Sequence, residues 1–158
     1  FTPDVIVANP AWGESLFLRD VWPQARQLAL IEFYYAARGL DYDFDPEFRR
    51  GDPADMARLR AKNAHLLLAL EAMDAGWSPT HFQRGTVPPA WRDRLEVIFD
   101  GVDTATVRPD PGAALAAAGR SFRAGEEIVT FVNRNLEPMR GYHVFMRALP
   151  EILRRRPN

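Results

Sequence analysis

Short apolar runs alternate along the chain with segments of helical periodicity. Three runs rich in aliphatic and aromatic residues predict buried β-strands at residues 4–8, 28–35 and 95–99. A continuous apolar run of this length is typical of a strand that is covered on both faces, as in a parallel sheet. A fourth run begins at Ile128, and the second run contains one acidic residue, Glu32.

The strongest helix signal lies between the second and third strands. Asp52 can cap a helix whose first position is Pro53, and both residue types are favoured there. Apolar residues then recur at helical spacing until Gly76, where the helix is expected to stop. A polar middle around Arg60 and Asn63 predicts a bend or break.

A second amphipathic helix is predicted after Gly141, and a shorter one at residues 79–85. Pro150 is expected to kink the later helix because proline lacks an N–H and clashes with the preceding turn. The apolar stripe of this helix predicts its buried face. It consists of Phe145, Ala148, Leu149, Ile152 and Leu153.

The alternation of strands and helices predicts an α/β fold with a Rossmann-like parallel sheet. Residues 104–127 differ from the rest, because they are rich in Ala, Gly, Pro and Arg and have little core-forming periodicity. Such composition favours a linker.

Composition narrows the function classes. The 158 residues are 47% hydrophobic and 26% charged, which is typical of a soluble globular protein. The net charge of -1 provides no overall positive field that would attract nucleic acid. No apolar run reaches the roughly 20 residues of a membrane span, so a cytoplasmic location is the default expectation. There is no cysteine, and the three histidines lack metal-ligand spacing. We therefore expect no metal and no cofactor.

The strand, turn and helix from residue 128 to 156 suggest an anion site. Arg134 and Arg140 lie in the turn, and Gly141 precedes the helix. A helix N-terminus offers free N–H groups, and two guanidinium groups beside it favour a phosphate-bearing ligand. The alternative is a solvated turn that carries two surface arginines.

Polar residues follow the first two strands. Asn9, Trp12 and Gly13 follow the first strand and are candidates for lining a ligand cleft, although turn chemistry alone explains Asn9 and Gly13. Glu32 is a candidate for binding or activating a substrate hydroxyl. It equally suits a structural role, since a carboxylate among apolar residues needs a partner if it is buried.

Two segments resemble a known family. Residues 97–104 (Val-Ile-Phe-Asp-Gly-Val-Asp-Thr) resemble the strand and turn that close the N-terminal domain of GT-B glycosyltransferases of family 4. Residues 131–141, from Phe-Val-Asn-Arg to Met-Arg-Gly, resemble the segment that opens their C-terminal domain. Their order and their separation by a linker also match.

The resemblance implies a partial GT-B fold. Residues 1–103 would be the later half of the acceptor-side domain, 104–127 the linker, and 128–158 the first strand and helix of the donor-side domain. Asp103 is expected to fix the turn after Gly101. The chain would then be a fragment of a longer protein, with incomplete sheets whose open edges favour self-association.

The resemblance also implies an activity. Family members transfer a sugar from a nucleotide-sugar donor to a glycan or small-molecule acceptor with retention of configuration, usually without a metal. The residues that hold their donor diphosphate correspond to Arg134 and Arg140, while Gly141 would start the adjoining helix. On this interpretation Glu32 is the candidate catalytic residue, and peripheral membrane association of the parent stays open.

Two departures from the family pattern qualify this interpretation. Asn133 stands where the family usually has Gly, and Arg140 stands where it has Lys. The family's Gly-rich loop and acidic donor motif are absent, so the isolated chain is expected to be inactive. A different class, a non-catalytic α/β module that binds a nucleotide or a protein, remains the alternative, because fold does not determine function.

Overall fold

The computed structural model describes residues 1–48 and 51–157. Arg49, Arg50 and Asn158 lie outside the described residues, so the predicted donor-side segment 128–158 is described only to residue 157. The chain divides into two compact units, Phe1–Asp100 and Gly101–Asn158. Each unit is described by itself.

The first unit is built on a four-stranded parallel sheet. Its strands are β1 (Val5–Ala8), β2 (Arg26–Leu30), β3 (Ala75–Ser78) and β4 (Leu95–Val97), and they lie in that order across the sheet. The predicted α/β class with a Rossmann-like parallel sheet is confirmed. Because all four strands are parallel, their carboxyl ends meet along one edge of the sheet.

The prediction missed β3, whose sequence is Ala-Gly-Trp-Ser. The sequence alone favours a helix end at Gly76, because glycine often terminates helices. The structure gives Gly76 another role, since a Cβ at this position would lie 2.5 Å from the carbonyl oxygen of Ala29 and 2.9 Å from Leu95. Glycine here allows β3 to fit between β2 and β4.

The second strand is shorter than predicted. It ends at Leu30. The remaining residues of the predicted strand, 31–35, lie at the carboxyl edge of the sheet and are not part of its strand pairing. Ile31 keeps one backbone hydrogen bond to the carbonyl of Trp77 at 2.8 Å. Residues 31–35 are instead held by side chains from helices, which makes them part of the candidate site.

The helix predicted after Asp52 is α2 (Pro53–Ala72), and its cap is confirmed, because the Asp52 carboxylate accepts a hydrogen bond from the Ala54 amide at 2.8 Å. The predicted break near Arg60 and Asn63 is wrong. The helix is continuous, since Asn63 is buried against the segment after β2 and satisfies its polar side chain there. The shorter helices of this unit are α1 (Leu18–Val21), α3 (His81–Thr86) and α4 (Pro89–Arg92).

The core lies where α2 covers the sheet. Its buried side chains come from the strands, from α2 and from the segment after α3. Ser78 is also fully buried, and its hydroxyl donates to the carbonyl oxygen of Ile31 at 2.7 Å. The apolar members are Ala29, Ile31, Leu70, Met73, Val87 and Leu95.

A carboxylate ties the amino ends of the central strands to the helices. Asp74, just before β3, accepts hydrogen bonds from the Gln27 amide at 2.8 Å, from Arg19 at 2.7 Å and from Arg26 at 3.1 Å. Arg19 also donates to the carbonyl of Ala72, the last residue of α2, at 2.6 Å. The hydrogen bond from Arg19 and that from the Gln27 amide lower the pKa of Asp74 to about 2.

The sheet of the first unit has open edges. Among the described residues β1 and β4 each pair on one side only, and Val5 and Val7 of β1 are 53% and 64% exposed. No helix in the described ranges combines the length and the apolar character that crossing a membrane requires.

The second unit contains a hairpin within the residues predicted as a linker. Strands β5 (Ala114–Ala117) and β6 (Arg120–Arg123) pair antiparallel around Ala118 and Gly119, which both have positive φ. The strand predicted to begin at Ile128 is not formed in the described structure. A strand needs a hydrogen-bonded neighbour, and β5 and β6 pair with each other.

The last helix is α5 (Tyr142–Arg155), which continues through Pro150. The ring of Phe131 stacks on Phe145 at 5.1 Å between centroids and also contacts Tyr142 at 5.8 Å. Of the predicted apolar stripe, Phe145, Leu149 and Ile152 are half-buried, whereas Ala148 and Leu153 are exposed.

We predict that Asp74→Asn destabilises the first unit. The substitution removes a charge that accepts from two guanidinium groups, and hydrogen bonds to charged groups contribute about 1.5–3 kcal/mol each. The pKa of Asp74 is lower in the folded state, so its contribution is complete above its ordinary value and is lost as the pH falls through about 2.

Urea unfolding at neutral pH and again near pH 2 measures this contribution. The variant should unfold at a lower urea concentration at neutral pH, and the difference from the unsubstituted protein should shrink in acid. Asp93→Asn is the matched control, because Asp93 is fully exposed and lies 3.8 Å from its arginine partner. Equal midpoints for both variants would show that the Asp74 network is not stabilising.

Candidate active site

The carboxyl end of β1 leads into a capped turn. The Asn9 side-chain oxygen accepts a hydrogen bond from the Ala11 amide at 3.0 Å and caps a short 3-10 turn, Pro10–Trp12. Gly13 closes the turn with a φ of 89°, which favours glycine. Asn9 and Gly13 therefore have structural roles in addition to their predicted place in a cleft.

Asn9 also contacts the candidate catalytic carboxylate. Its side-chain nitrogen donates to Oε2 of Glu32 at 3.2 Å, and both residues follow the carboxyl ends of neighbouring strands. Glu32 is exposed, and its second oxygen has no hydrogen-bond partner among the described residues. A carboxylate with one oxygen held by an amide and the other free can accept a hydrogen bond from a substrate hydroxyl.

Trp12 is 85% exposed at the end of the same turn. The turn itself is held against α2 by His65, whose Nε2 lies 2.9 Å from the carbonyl oxygen of Ala11. Because a carbonyl can only accept, Nε2 carries the proton in this contact. The turn, held by His65, therefore presents a large exposed ring three residues after Asn9.

The segment that follows Glu32 is fixed by residues that the sequence interpretation missed. The Asn63 side chain accepts from the Tyr35 amide at 3.1 Å and donates to the Tyr35 carbonyl at 2.7 Å. The Thr86 hydroxyl oxygen accepts from the Tyr34 amide at 2.9 Å. These contacts replace the backbone hydrogen bonds that the segment would make inside the sheet.

One sequence signal pointed to Asn63. It is three residues before Leu66 and seven before Leu70, so it occupies the buried stripe of α2. A polar residue in such a stripe requires a hydrogen-bonding partner. The sequence carried no corresponding signal for Thr86, because its partner lies 52 residues away.

The predicted donor-phosphate residues lie in the second unit. Arg134 is exposed and has no charged partner among the described residues. Arg140 donates to Glu137 at 2.9 Å in an ion pair whose side chains are 38% and 42% exposed. A pair at this exposure contributes about 0–1 kcal/mol, so Glu137 holds Arg140 only weakly.

Gly141 starts α5 with a left-handed φ of 72°. Its amide donates to the Pro138 carbonyl at 2.9 Å, and its carbonyl accepts from Phe145 at 3.0 Å. Gly141 thus turns the chain from the short 3-10 helix Pro138–Arg140 into α5, while its own N–H is already engaged.

Comparison with known proteins assigns the family. Residues 1–107 match the Glycosyl transferase family 4 group, and this range covers the whole first unit together with the 97–104 motif. The chain belongs to this family. The resemblance inferred from residues 97–104 and 131–141 is confirmed at the level of the family.

Two relatives of this family 4 chain carry the name D-inositol 3-phosphate glycosyltransferase. The protein from Nocardia farcinica is 42% identical over 66 residues, and the one from Kineococcus radiotolerans is 36% identical over 64 residues. These matches cover 42% and 40% of the chain, and 14% of the length of each relative.

The family motif after β4 has a structural function in this chain. Asp103 accepts hydrogen bonds from the Ala105 amide at 3.0 Å and from the Thr106 hydroxyl at 2.7 Å. The Thr106 hydroxyl, followed by the backbone amides, lowers the pKa of Asp103. The carboxylate therefore stays ionised and fixes the turn that follows Gly101.

We predict that Asn63→Ala loosens the segment that carries Glu32. It leaves the half-buried amide and carbonyl of Tyr35 without their side-chain partners, and an unsatisfied group costs up to about 3 kcal/mol when it is fully buried. We expect a lower free energy of unfolding and faster amide hydrogen exchange at residues 31–36. Glu71→Ala, an exposed change on the same helix, is the control. Unchanged exchange at residues 31–36 would contradict this role for Asn63.

Proposed function

We propose that this family 4 chain is part of a retaining glycosyltransferase that moves a sugar from a nucleotide-sugar donor to a glycan or small-molecule acceptor. The observation that carries the proposal is the Asn9–Glu32 pair. It places an exposed carboxylate with a free oxygen at the carboxyl edge of the sheet, where open α/β sheets bind ligands.

Glu32 acts on the acceptor. Its free oxygen accepts a hydrogen bond from the acceptor hydroxyl and assists the loss of that proton as the new glycosidic bond forms. Asn9 keeps the carboxylate oriented, because it is itself fixed by the cap to Ala11. Trp12 and Gly13 complete the acceptor side, with the exposed indole available to pack against a sugar ring.

Arg134 and Arg140 act on the donor. When the bond between the anomeric carbon and the diphosphate oxygen breaks, negative charge grows on the departing diphosphate. Two guanidinium groups near that charge lower the barrier electrostatically. Gly141 contributes the turn that places Arg140 immediately before α5.

We predict that Glu32→Gln in the full-length protein lowers kcat by about a hundredfold or more, because the amide cannot accept a proton in general base catalysis. The fold should be unaffected, since glutamine can still accept the hydrogen bond from Asn9. Steady-state transfer assays measure kcat, with Glu71→Gln as a control for loss of a surface carboxylate. Unchanged kcat in Glu32→Gln would remove Glu32 from the mechanism.

We also predict that Arg134→Ala and Arg140→Ala each reduce nucleotide-sugar turnover by about 100-fold or more, the usual cost of losing one group that stabilises transition-state charge. Arg140→Lys should recover most of the activity, because it keeps the charge found at this position in the family. Arg108→Ala is the control, because Arg108 is exposed outside this turn. Full turnover in both alanine variants, with unchanged circular dichroism, would overturn the phosphate assignment.

A further inference from the structure

The Asn9–Glu32 contact joins two loops that come from different strands. Asn9 directly follows β1, and Glu32 lies two residues after the end of β2. The contact itself is one hydrogen bond of 3.2 Å between exposed side chains. A hydrogen bond that competes with water in this way is too weak to hold two loops in place. The distance between the two side chains is therefore set by whatever holds each loop.

Both loops are attached to the same turn of α2. On the β2 side, Asn63 binds the backbone of Tyr35 at both its amide and its carbonyl, and the ammonium group of Lys62 lies 3.5 Å from the centroid of the Tyr35 ring. On the β1 side, His65 donates to the carbonyl oxygen of Ala11 at 2.9 Å. Residues 62–65 span about one turn of the helix. One turn of α2 thus holds the chain that follows each strand.

Two contacts of different kinds hold the turn after β1. The ring of Pro10 is fully buried, and the burial of an apolar ring attracts without a preferred direction. The hydrogen bond from His65 to Ala11 does have a direction. His65 therefore determines how the turn is oriented, while Pro10 keeps it against the rest of the unit.

Ala11 connects His65 to the site. Its carbonyl accepts from His65, and its amide donates to the side-chain oxygen of Asn9 at 3.0 Å. Because the Asn9 oxygen is occupied by this amide, the Asn9 nitrogen is the atom that faces Glu32. A shift of Ala11 would carry the Asn9 donor away from the carboxylate. The orientation of Glu32 thus depends on His65 through two intervening residues.

We propose that His65 is a positioning residue for the transfer reaction. Its hydrogen bond to Ala11 keeps Asn9 in the orientation that holds Glu32, and His65 itself does not react. The inference rests on the proposed role of Glu32 in assisting the loss of the acceptor proton. Misplacing a reacting group by about 1 Å can cost about 100-fold in rate, so a residue that only sets this geometry has a measurable effect on kcat.

Amide hydrogen exchange in the full-length protein tests the positioning without any ligand. His65→Phe keeps a ring of similar size and removes the donor, so we expect exchange at the Ala11 and Gly13 amides to be about tenfold faster, the factor that corresponds to one ordinary hydrogen bond. His65→Gln should restore slow exchange, because its side-chain amide can donate to the same carbonyl. Glu71→Ala, an exposed change on the same helix, is the control. Unchanged exchange in His65→Phe would overturn the inference.

A double-mutant cycle tests whether His65 acts through Asn9. Turnover is measured as release of UDP from UDP-glucose or of GDP from GDP-mannose, whichever the protein uses faster. We expect His65→Phe to lower kcat by about tenfold with the donor KM unchanged, and His65→Gln to recover most of the loss. In an Asn9→Ala background His65→Phe should cost nothing further, because the connection to Glu32 is already broken. A loss of equal size in both backgrounds would contradict the proposed route, and reduced stability alone would give that result.

The two experiments also separate this inference from the proposed function. Faster exchange at Ala11 in His65→Phe, together with an unchanged kcat in Glu32→Gln, would contradict only the proposed function and would leave His65 as the residue that orients Asn9. A reduced kcat in Glu32→Gln, together with an unchanged kcat in His65→Phe, would contradict only the positioning role.

Discussion

The Asp74 carboxylate is the interaction on which the order of the first unit depends. It receives hydrogen bonds from the backbone of β2 and from Arg19 of α1, and Arg19 in turn holds the end of α2. Helix and strands are thereby fixed together at the amino end of the sheet. Since the strands are parallel and share one register, fixing this end also aligns the opposite end, where Asn9 and Glu32 meet.

Burial of apolar surface supplies the stability but not this alignment. The core side chains are all apolar, and the hydrophobic effect that buries them has no preferred direction. Hydrogen bonds have direction, and the buried ones in this unit link elements that are far apart in the chain. Ser78 and Ile31 are an example, because they join the ends of β3 and β2 inside the core.

The features that could be predicted from the sequence are those with local causes. The cap at Asp52 depends on its immediate neighbours, and β1 and β4 are apolar enough to be recognised alone. The role of Gly76 depends on the distance between two other strands, which no local pattern contains. The same reasoning applies to the site. Asn9 and Glu32 could each be predicted alone, but only the order of the strands brings them into contact. Asn63 and Thr86 bind backbone groups that are distant in the chain, so no local pattern reveals their partners.

The hydrogen bond from the Tyr34 amide to the Thr86 hydroxyl attaches the segment that carries Glu32 to α3. The same segment is held to α2 by Asn63, and a segment fixed at both helices loses little conformational entropy on binding a ligand. A segment held in this way shifts little to compensate for a misplaced ligand group. It therefore favours ligands whose polar groups already match the positions of the groups that the segment presents.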